Sequence, residues 1–246
     1  KYPNLQYIQF VDGDCEIQPD WIDSAQKFLV NNSHYAVVCG RRRERYPEQS
    51  IYNQLCDIEW DTPVGDAMAC GGDALIRVDA FKQVDGYRAD LIAGEEPEMC
   101  FRLRHNGWKI QRLDAEMTLH DAAMTKVSQW WKRTVRAGYA FALGSSIHGK
   151  SKERYWVKEN QRIMIWGVFI PVLVLSLVIV NPIFLGLLAV YLVQVMRVGN
   201  KRPDLGSMKF IWAASVVLGK IPEAVGLIQH AKNRITKTTT QIIEYK

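Results

Sequence analysis

The chain has 246 residues, a formal net charge of +5 and 48% hydrophobic residues, enough for one large domain or two small ones. The modest positive charge comes without a helix-turn-helix, zinc-finger or RNP pattern, so we expect no nucleic-acid partner. Five cysteines, an odd number without a CxxC pair, argue against a disulfide framework and indicate reduced thiols in the cytosol.

The polar first part of the chain opens with a β-α-β pattern. Residues 5–11 alternate between apolar and polar types, as a strand does, and residues 19–29 repeat apolar side chains at helical spacing. A second strand is predicted at 35–39, ended by Gly40, and a charged loop follows at 41–47. This order predicts an α/β fold with a mostly parallel sheet flanked by helices.

Shorter elements follow along the polar part. We predict a helix at 50–60, a loop at 65–72, a strand at 74–78, a short helix from 79 to Gly86, a strand at 108–113, and before it a helix that starts after Gly94-Glu95-Glu96-Pro97 and runs to Asn106. This last helix has Pro97 at its first position and acidic residues at the positive end of its dipole. It closes with an Asn-Gly pair, which is typical of a helix C-terminus.

The last part of the chain is strongly apolar. No charged residue occurs within 163–196, and one helix of that length would span roughly 50 Å, more than a bilayer core of about 30 Å requires. Asn181-Pro182 is a turn signal in the middle of this run. We therefore predict a hairpin of two transmembrane helices, 163–180 and 183–196.

Basic residues flank the predicted hairpin on both sides. We therefore expect both of its ends to face the cytoplasm, and the protein to lie in the cell (inner or plasma) membrane. The apolar segment 208–228 is interrupted by Lys220, and the sequence leaves open whether it spans the membrane, re-enters it or lies at the interface. Residues 126–143 combine aromatic and cationic types, which predicts an amphipathic helix at the membrane interface, with a packed surface helix as the alternative.

The sharpest chemical feature is Asp12-Gly13-Asp14, which follows the first strand directly. Ligands in open α/β sheets bind at the carboxyl ends of strands. Asp12 and Asp14 can present oxygens to one hard cation, and Mg²⁺ or Mn²⁺ held there can bridge a diphosphate. His120 follows a strand-like stretch and is a candidate imidazole ligand to the same cation.

Two adjacent carboxylates, Glu95 and Glu96, open the later helix. They either complement the helix dipole or act as a general base that takes the proton of an attacking hydroxyl. We predict both as candidate catalytic residues. In Gly71-Gly72-Asp73, two glycines let a ligand approach the backbone closely, so Gly71, Gly72 and Asp73 are candidate binding residues for the donor.

Taken in order, three motifs resemble a family 2 glycosyltransferase with a GT-A fold: DGD at 12–14, GGDALIRVDAF at 71–81 and GEEPEMCFRLR at 94–104. The resemblance covers about residues 5–145. It implies that Asp12 and Asp14 form the DxD metal motif, with Asp14 as the direct ligand in preference to Asp12. It also implies that Glu96 takes the place of the catalytic base, where Glu replaces the usual Asp.

The resemblance implies an inverting, metal-dependent glycosyltransferase. Its expected partners are a nucleotide-sugar donor, a cell-surface glycan or lipid-linked acceptor, and membrane lipids. Family members carry further strands before the DxD, so we expect the first strands of the fold to be missing and the fragment alone to bind donor poorly. The expected segments are a partial catalytic domain (1–125), an interfacial helix with linker (126–160), a transmembrane region (161–228) and a basic cytosolic tail (229–246).

Two other functions stay open. A non-catalytic membrane scaffold with a degenerate transferase domain would keep the same elements without turnover. A haloacid-dehalogenase-like phosphatase also places a DxD after a strand, with Asp12 as nucleophile and Asp14 as acid. The residues that follow, Cys15-Glu16-Ile17, fit that motif poorly.

Overall fold

The computed structural model describes residues 4–237 of the chain. Residues 238–246, which form the end of the predicted basic tail, lie outside the described residues. The chain divides into two compact units, the first ending at Lys126 and the second beginning at Val127.

The first unit is an α/β domain built around one sheet, as predicted. Its strands are β1 (Tyr7–Phe10), β2 (Cys15–Ile17), β3 (Tyr35–Glu44), β4 (Gly65–Asp66), β5 (Ala74–Arg77) and β6 (Lys109–His120). Its helices are α1 (Trp21–Asn31), α2 (Ile51–Trp60), α3 (Val78–Gln83) and α4 (Glu95–His105).

The sheet is mixed, so the prediction of a mostly parallel sheet is wrong. The strand order is β1-β5-β3-β6-β2, with β4 on β6. Within residues 4–237 only β3 and β6 pair in parallel, and the other four pairings are antiparallel. The β-α-β order in the sequence does not determine the pairing, because β1 pairs with the later strand β5 in antiparallel register.

Strand β3 is longer than the sequence predicts and includes most of the predicted loop at 41–47. Gly40 does not end the strand. A Cβ atom at this position would lie 2.6 Å from the carbonyl oxygen of Ala115 and 2.7 Å from a ring carbon of Trp21. Glycine is therefore needed for close packing inside the strand, and β3 continues to Glu44.

The core of the first unit lies between the sheet and helices α1 and α4. Helix α1 buries Trp21, Ala25 and Leu29, which repeat every four residues and so share one face. Helix α4 buries Met99 and Leu103 in the same cluster. This helix begins at Glu95, earlier than the predicted start near Pro97, and ends at His105 with Asn106 as the C-cap, as predicted.

The second unit is helical. It contains α5 (Val127–His148), α6 (Val157–Ile163), α7 (Ile170–Val180), α8 (Ala189–Gly199), α9 (Lys209–Leu218) and α10 (Lys220–Thr236). A π-helical turn at Met164–Phe169 joins α6 to α7. Helix α10 packs closely on α5, where a Cβ atom on Gly226 would lie 2.0 Å from the carbonyl oxygen of Val135.

Three helical stretches of the second unit are long and apolar enough to cross a membrane: Val157–Val180, Pro182–Gly199 and Pro203–Thr236. The first two are joined at Asn181, whose side-chain oxygen accepts the Ile183 N–H at 3.0 Å. The predicted turn is therefore confirmed. Side chains along the first stretch stay uncovered, and Ile179 is 87% exposed, which is consistent with contact to lipid.

Candidate functional site

The Asp12–Asp14 turn lies at the end of β1 beside the end of β6. Asp12, Asp14, Cys15 and His120 each present a potential ligand atom, and these atoms all lie within 4.8 Å of one another. Both aspartates are exposed, whereas His120 is buried. All three residues predicted as metal ligands therefore meet in one place.

The pairing of β2 with β6 brings His120 to this turn. Cys15 lies opposite His120 in the antiparallel register, so the residue before Cys15 is placed beside the imidazole. Asp14 Oδ1 and His120 Nε2 are 3.2 Å apart. The His120 ring also packs edge-on against Trp60, with ring centroids 4.6 Å apart. Sheet register thus unites two residues that are far apart in the sequence.

Asp73 anchors the backbone of Asp12. Its Oδ1 accepts the Asp12 backbone N–H at 2.8 Å, and its Oδ2 accepts the Thr118 hydroxyl at 2.7 Å. Arg42 Nη2 lies 3.1 Å from Asp12 Oδ2 and 2.9 Å from Asp73 Oδ2. Asp73 is fully buried. Its contacts therefore position Asp12 and Arg42.

The two glycines before Asp73 have backbone conformations that favour glycine. Gly71 has φ +82° and Gly72 has φ +103°. Nothing lies within 4 Å of a Cβ atom built on Gly71, so its surface is open. A Cβ atom on Gly72 would lie 2.9 Å from Arg42 Nη2 and 3.3 Å from Asp12 Oδ2. Gly72 therefore lets the loop pass close to the aspartate turn.

Glu96 is held through one of its two carboxylate oxygens. Oε1 accepts the Cys70 backbone N–H at 2.7 Å and the thiols of Cys70 and Cys100, both at 2.9 Å. Within residues 4–237, Oε2 makes no hydrogen bond. One oxygen is thus anchored by three donors, while the other stays available to accept a proton.

Both thiols that contact Glu96 are protonated at neutral pH. Burial raises the pKa of Cys100 to about 11. The hydrogen bond with Cys100, together with burial, raises the pKa of Cys70 well above its ordinary value. The two sulfurs lie 3.8 Å apart, and both cysteines are free. A protonated thiol is a donor, so the pair can orient a carboxylate.

Glu95 lies beside Glu96 at the start of α4 and is half-buried. Its Oε2 is buried without a hydrogen-bond partner in the part of the chain that the structure describes. Both carboxylates thus begin the same helix, but only Glu96 has a set of donors that fixes its orientation.

A four-residue loop, 70–73, contacts both acidic groups. Cys70 at its start donates to Glu96, and Asp73 at its end accepts from Asp12. Three peptide units span at most about 11 Å between the end Cα atoms. The aspartate turn and Glu96 therefore lie at opposite ends of one short, glycine-rich loop.

Several residues of this site are not predicted by the sequence patterns. Cys70 and Cys100 occur in apolar surroundings, where a buried thiol usually serves only in packing. Arg42 belongs to a run of arginines that reads as a solvated loop, yet it is 8% exposed. The available signal for Arg42 is its place soon after the predicted strand 35–39, which a charge pattern alone does not single out.

A scan against protein-family models found no matching family, and a search of curated proteins found no similar sequence. The chemistry of the site is therefore inferred from its own geometry.

Proposed function

We propose that the chain belongs to an inverting, metal-dependent glycosyltransferase that is anchored in a membrane. The observation that carries this proposal is the arrangement around loop 70–73. At one end of the loop, Asp73 accepts the Asp12 N–H, and Asp12 forms a cluster of potential metal ligands with Asp14 and His120. The other end of the loop contacts Glu96, which keeps one oxygen free. Nucleotide-sugar transfer requires both kinds of group close together.

The residues at the aspartate turn fit a divalent cation. Two carboxylates and one imidazole are suitable ligands for Mg²⁺ or Mn²⁺. Burial raises the pKa of the nearby Cys15 to about 12, so this thiol stays protonated and does not compete as a thiolate. When bound, the cation would neutralise the charge of the departing nucleoside diphosphate.

In the proposed reaction, Glu96 acts as general base. Its Oε2 accepts the proton of the acceptor hydroxyl as that oxygen attacks the anomeric carbon of the donor. The new bond joins the acceptor oxygen to this carbon, and the bond from the carbon to the diphosphate oxygen breaks. The electron pair of that bond leaves with the nucleoside diphosphate, and attack opposite the leaving group inverts the anomeric centre.

The proposed donor is a nucleotide-sugar, and the acceptor is a glycan or a lipid-linked hydroxyl. We place the first unit on the cytoplasmic side of the cell (inner or plasma) membrane, because basic residues flank the apolar stretches Val157–Val180 and Pro182–Gly199. Reporter fusions at positions 181 and 200 test this arrangement. They are expected on opposite sides of the membrane, and the same side would contradict it.

Cation binding and turnover together test the proposed function. We expect the purified full chain in nanodiscs to bind Mn²⁺ in an electron paramagnetic resonance titration. Asp14→Ala should weaken binding by about 100-fold, as loss of a direct ligand requires. Asp20→Ala removes an exposed carboxylate near the turn that makes no capping hydrogen bond, and is expected to leave binding unchanged.

The turnover arm uses a panel of nucleotide-sugars with and without Mn²⁺. Metal-dependent release of nucleoside diphosphate that is lost in Asp14→Ala supports the proposal. Mn²⁺ binding without release of diphosphate from any donor supports a non-catalytic scaffold instead. Equal release by Asp14→Ala and the unaltered chain would refute the metal assignment.

A further inference from the structure

A crevice of about 300 Å³ lies within the second unit, between α6, α8 and the α9–α10 segment. Its lining includes three cationic side chains, Arg162, Lys201 and Lys220, and one acidic side chain, Glu159. This volume is at the lower end of the range for ligand pockets. The crevice is far along the sequence from the residues of the proposed glycosyltransferase site and is argued independently of them.

Two of the cations in the crevice are not neutralised. Lys220 Nζ lies 2.6 Å from Glu223 Oε2, so its charge is compensated. The side chains of Arg162 and Lys201 make no hydrogen bond or ion pair with any residue between 4 and 237. The single acid, Glu159, is also unpaired over that range. The lining therefore has an excess of donors for an anion, and guanidinium and ammonium groups are the common phosphate binders.

The lining of the crevice also contains apolar side chains. These are Trp166, Val198, Val216 and Val217. Trp166 lies in the π-helical turn Met164–Phe169, a rare conformation that occurs often at functional sites. A lining that combines cationic and apolar side chains matches an amphipathic ligand better than a free, fully polar one.

The charges locate the crevice at the membrane surface. Arg162 precedes the uncharged run of the first candidate span, and Lys201 follows the end of the second. Because these two spans form a hairpin, both cations lie at its same end. Lys220 lines the same crevice, although it lies within the third candidate span. The middle of that third segment is therefore level with the charged end of the hairpin.

We propose that this crevice binds the phosphate headgroup of an anionic membrane phospholipid. Arg162 and Lys201 contact the phosphate, and an acyl chain runs along the wall that contains Trp166. Basic pockets between membrane helices on the cytoplasmic side bind lipid headgroups in this way. A zwitterionic phospholipid has its own cation, which the uncompensated charges disfavour.

Native mass spectrometry of the full chain tests this proposal, with phosphatidylglycerol and phosphatidylcholine as probes. The unaltered chain is expected to retain phosphatidylglycerol in preference to phosphatidylcholine. The double variant Arg162→Gln/Lys201→Gln should bind phosphatidylglycerol about 25-fold more weakly, about fivefold for each cation removed. Lys232→Gln removes an exposed cation of α10 that is not part of the lining, and should change binding less than about twofold.

Three results would overturn the proposal. One is equal retention of the two lipids by the unaltered chain. A second is a loss in Lys232→Gln as large as in the double variant, which would indicate general surface attraction. The third is displacement of phosphatidylglycerol by an equal concentration of inorganic phosphate, because the crevice would then recognise the free anion and not the lipid. Near-ultraviolet circular dichroism of each variant verifies that the fold is kept.

Discussion

The two acidic groups at the ends of loop 70–73 differ in their surroundings. At the aspartate turn, ligand atoms of two exposed carboxylates and a buried imidazole converge, and Asp12 also pairs with Arg42. Around Glu96, two buried thiols also converge with a carboxylate, but each donates its proton to Glu96 Oε1. The two clusters of potential ligands thus differ in exposure and in hydrogen bonding. Under the proposed function, the exposed cluster would hold the cation, and the buried thiols would position one carboxylate.

The largest effect is expected on the rate of sugar transfer when Glu96 is changed. Glu96→Gln removes the proposed base but keeps its size, so the rate of transfer should fall by about 1,000-fold, while Mn²⁺ affinity stays unchanged. Steady-state release of nucleoside diphosphate measures the first quantity and the Mn²⁺ titration the second.

Glu95→Gln is the matched control for that change, because Glu95 lies on the same helix turn without the thiol donors. Its rate should change by less than about tenfold. A greater loss in Glu95→Gln than in Glu96→Gln would transfer the role of base to Glu95, and unaltered rates in both variants would remove it from this helix.

The next effect is expected on the free energy of unfolding, when the contacts of Asp73 at the aspartate turn are changed. Asp73→Asn deprives the buried Arg42 of one carboxylate partner, which is expected to lower the free energy of unfolding by about 3 kcal/mol. Thr118→Val removes only one hydroxyl donor to the same carboxylate, for about 1 kcal/mol. Urea unfolding followed by near-ultraviolet circular dichroism compares the two. Equal losses would show that the ion pair with Arg42 contributes little.

The aspartate turn shows what a sequence can and cannot predict. Residue type and a place after a strand identify Asp12, Asp14 and His120 as candidate ligands one by one. Their meeting depends on the pairing of Cys15 with His120, which is a long-range register that local patterns do not contain. The β-α-β order likewise predicted an α/β fold but not the mixed pairing, because neighbours in the sheet are distant in sequence.

Local patterns were sufficient where neighbours in sequence decide the structure. The hairpin turn at Asn181 and the end of α4 at Asn106 follow from their own capping residues. Gly40 shows the opposite case. A glycine after an apolar run predicts a strand end, yet this one is required by the approach of Trp21 and Ala115. A packing requirement of that kind cannot be seen before the fold is known.

A smaller effect is expected from pH at the buried thiols. Because burial raises the pKa of Cys100 to about 11, its folded state prefers the protonated form. Its contribution to stability is fully present below the ordinary pKa of about 9 and is lost as the pH rises towards 11. At pH 9 we therefore expect alkylation of Cys100 by iodoacetamide to be about 50-fold slower in the folded chain than in urea.

Peptide mass mapping of the alkylated chain measures each cysteine separately. Cys15 at the aspartate turn, whose pKa burial raises to about 12, is likewise expected to react more slowly at pH 9 in the folded chain than in urea. Rapid alkylation of Cys100 at pH 8 in the folded chain would contradict the protonated, donating thiol on which the orientation of Glu96 depends.

The smallest effect separates a positioning role of the thiols from simple packing. Cys100→Ala removes one of the three donors to Glu96 Oε1 and should lower the rate of transfer about tenfold, since hydrogen bonds to charged groups contribute about 1.5 kcal/mol. Cys100→Ser restores a donor of similar size at the same site, so most of that rate should return. If both variants lose equally, or if alanine retains the full rate, the thiol only fills space beside Glu96. In that case the anchoring of its Oε1 would rest on the Cys70 N–H and thiol alone.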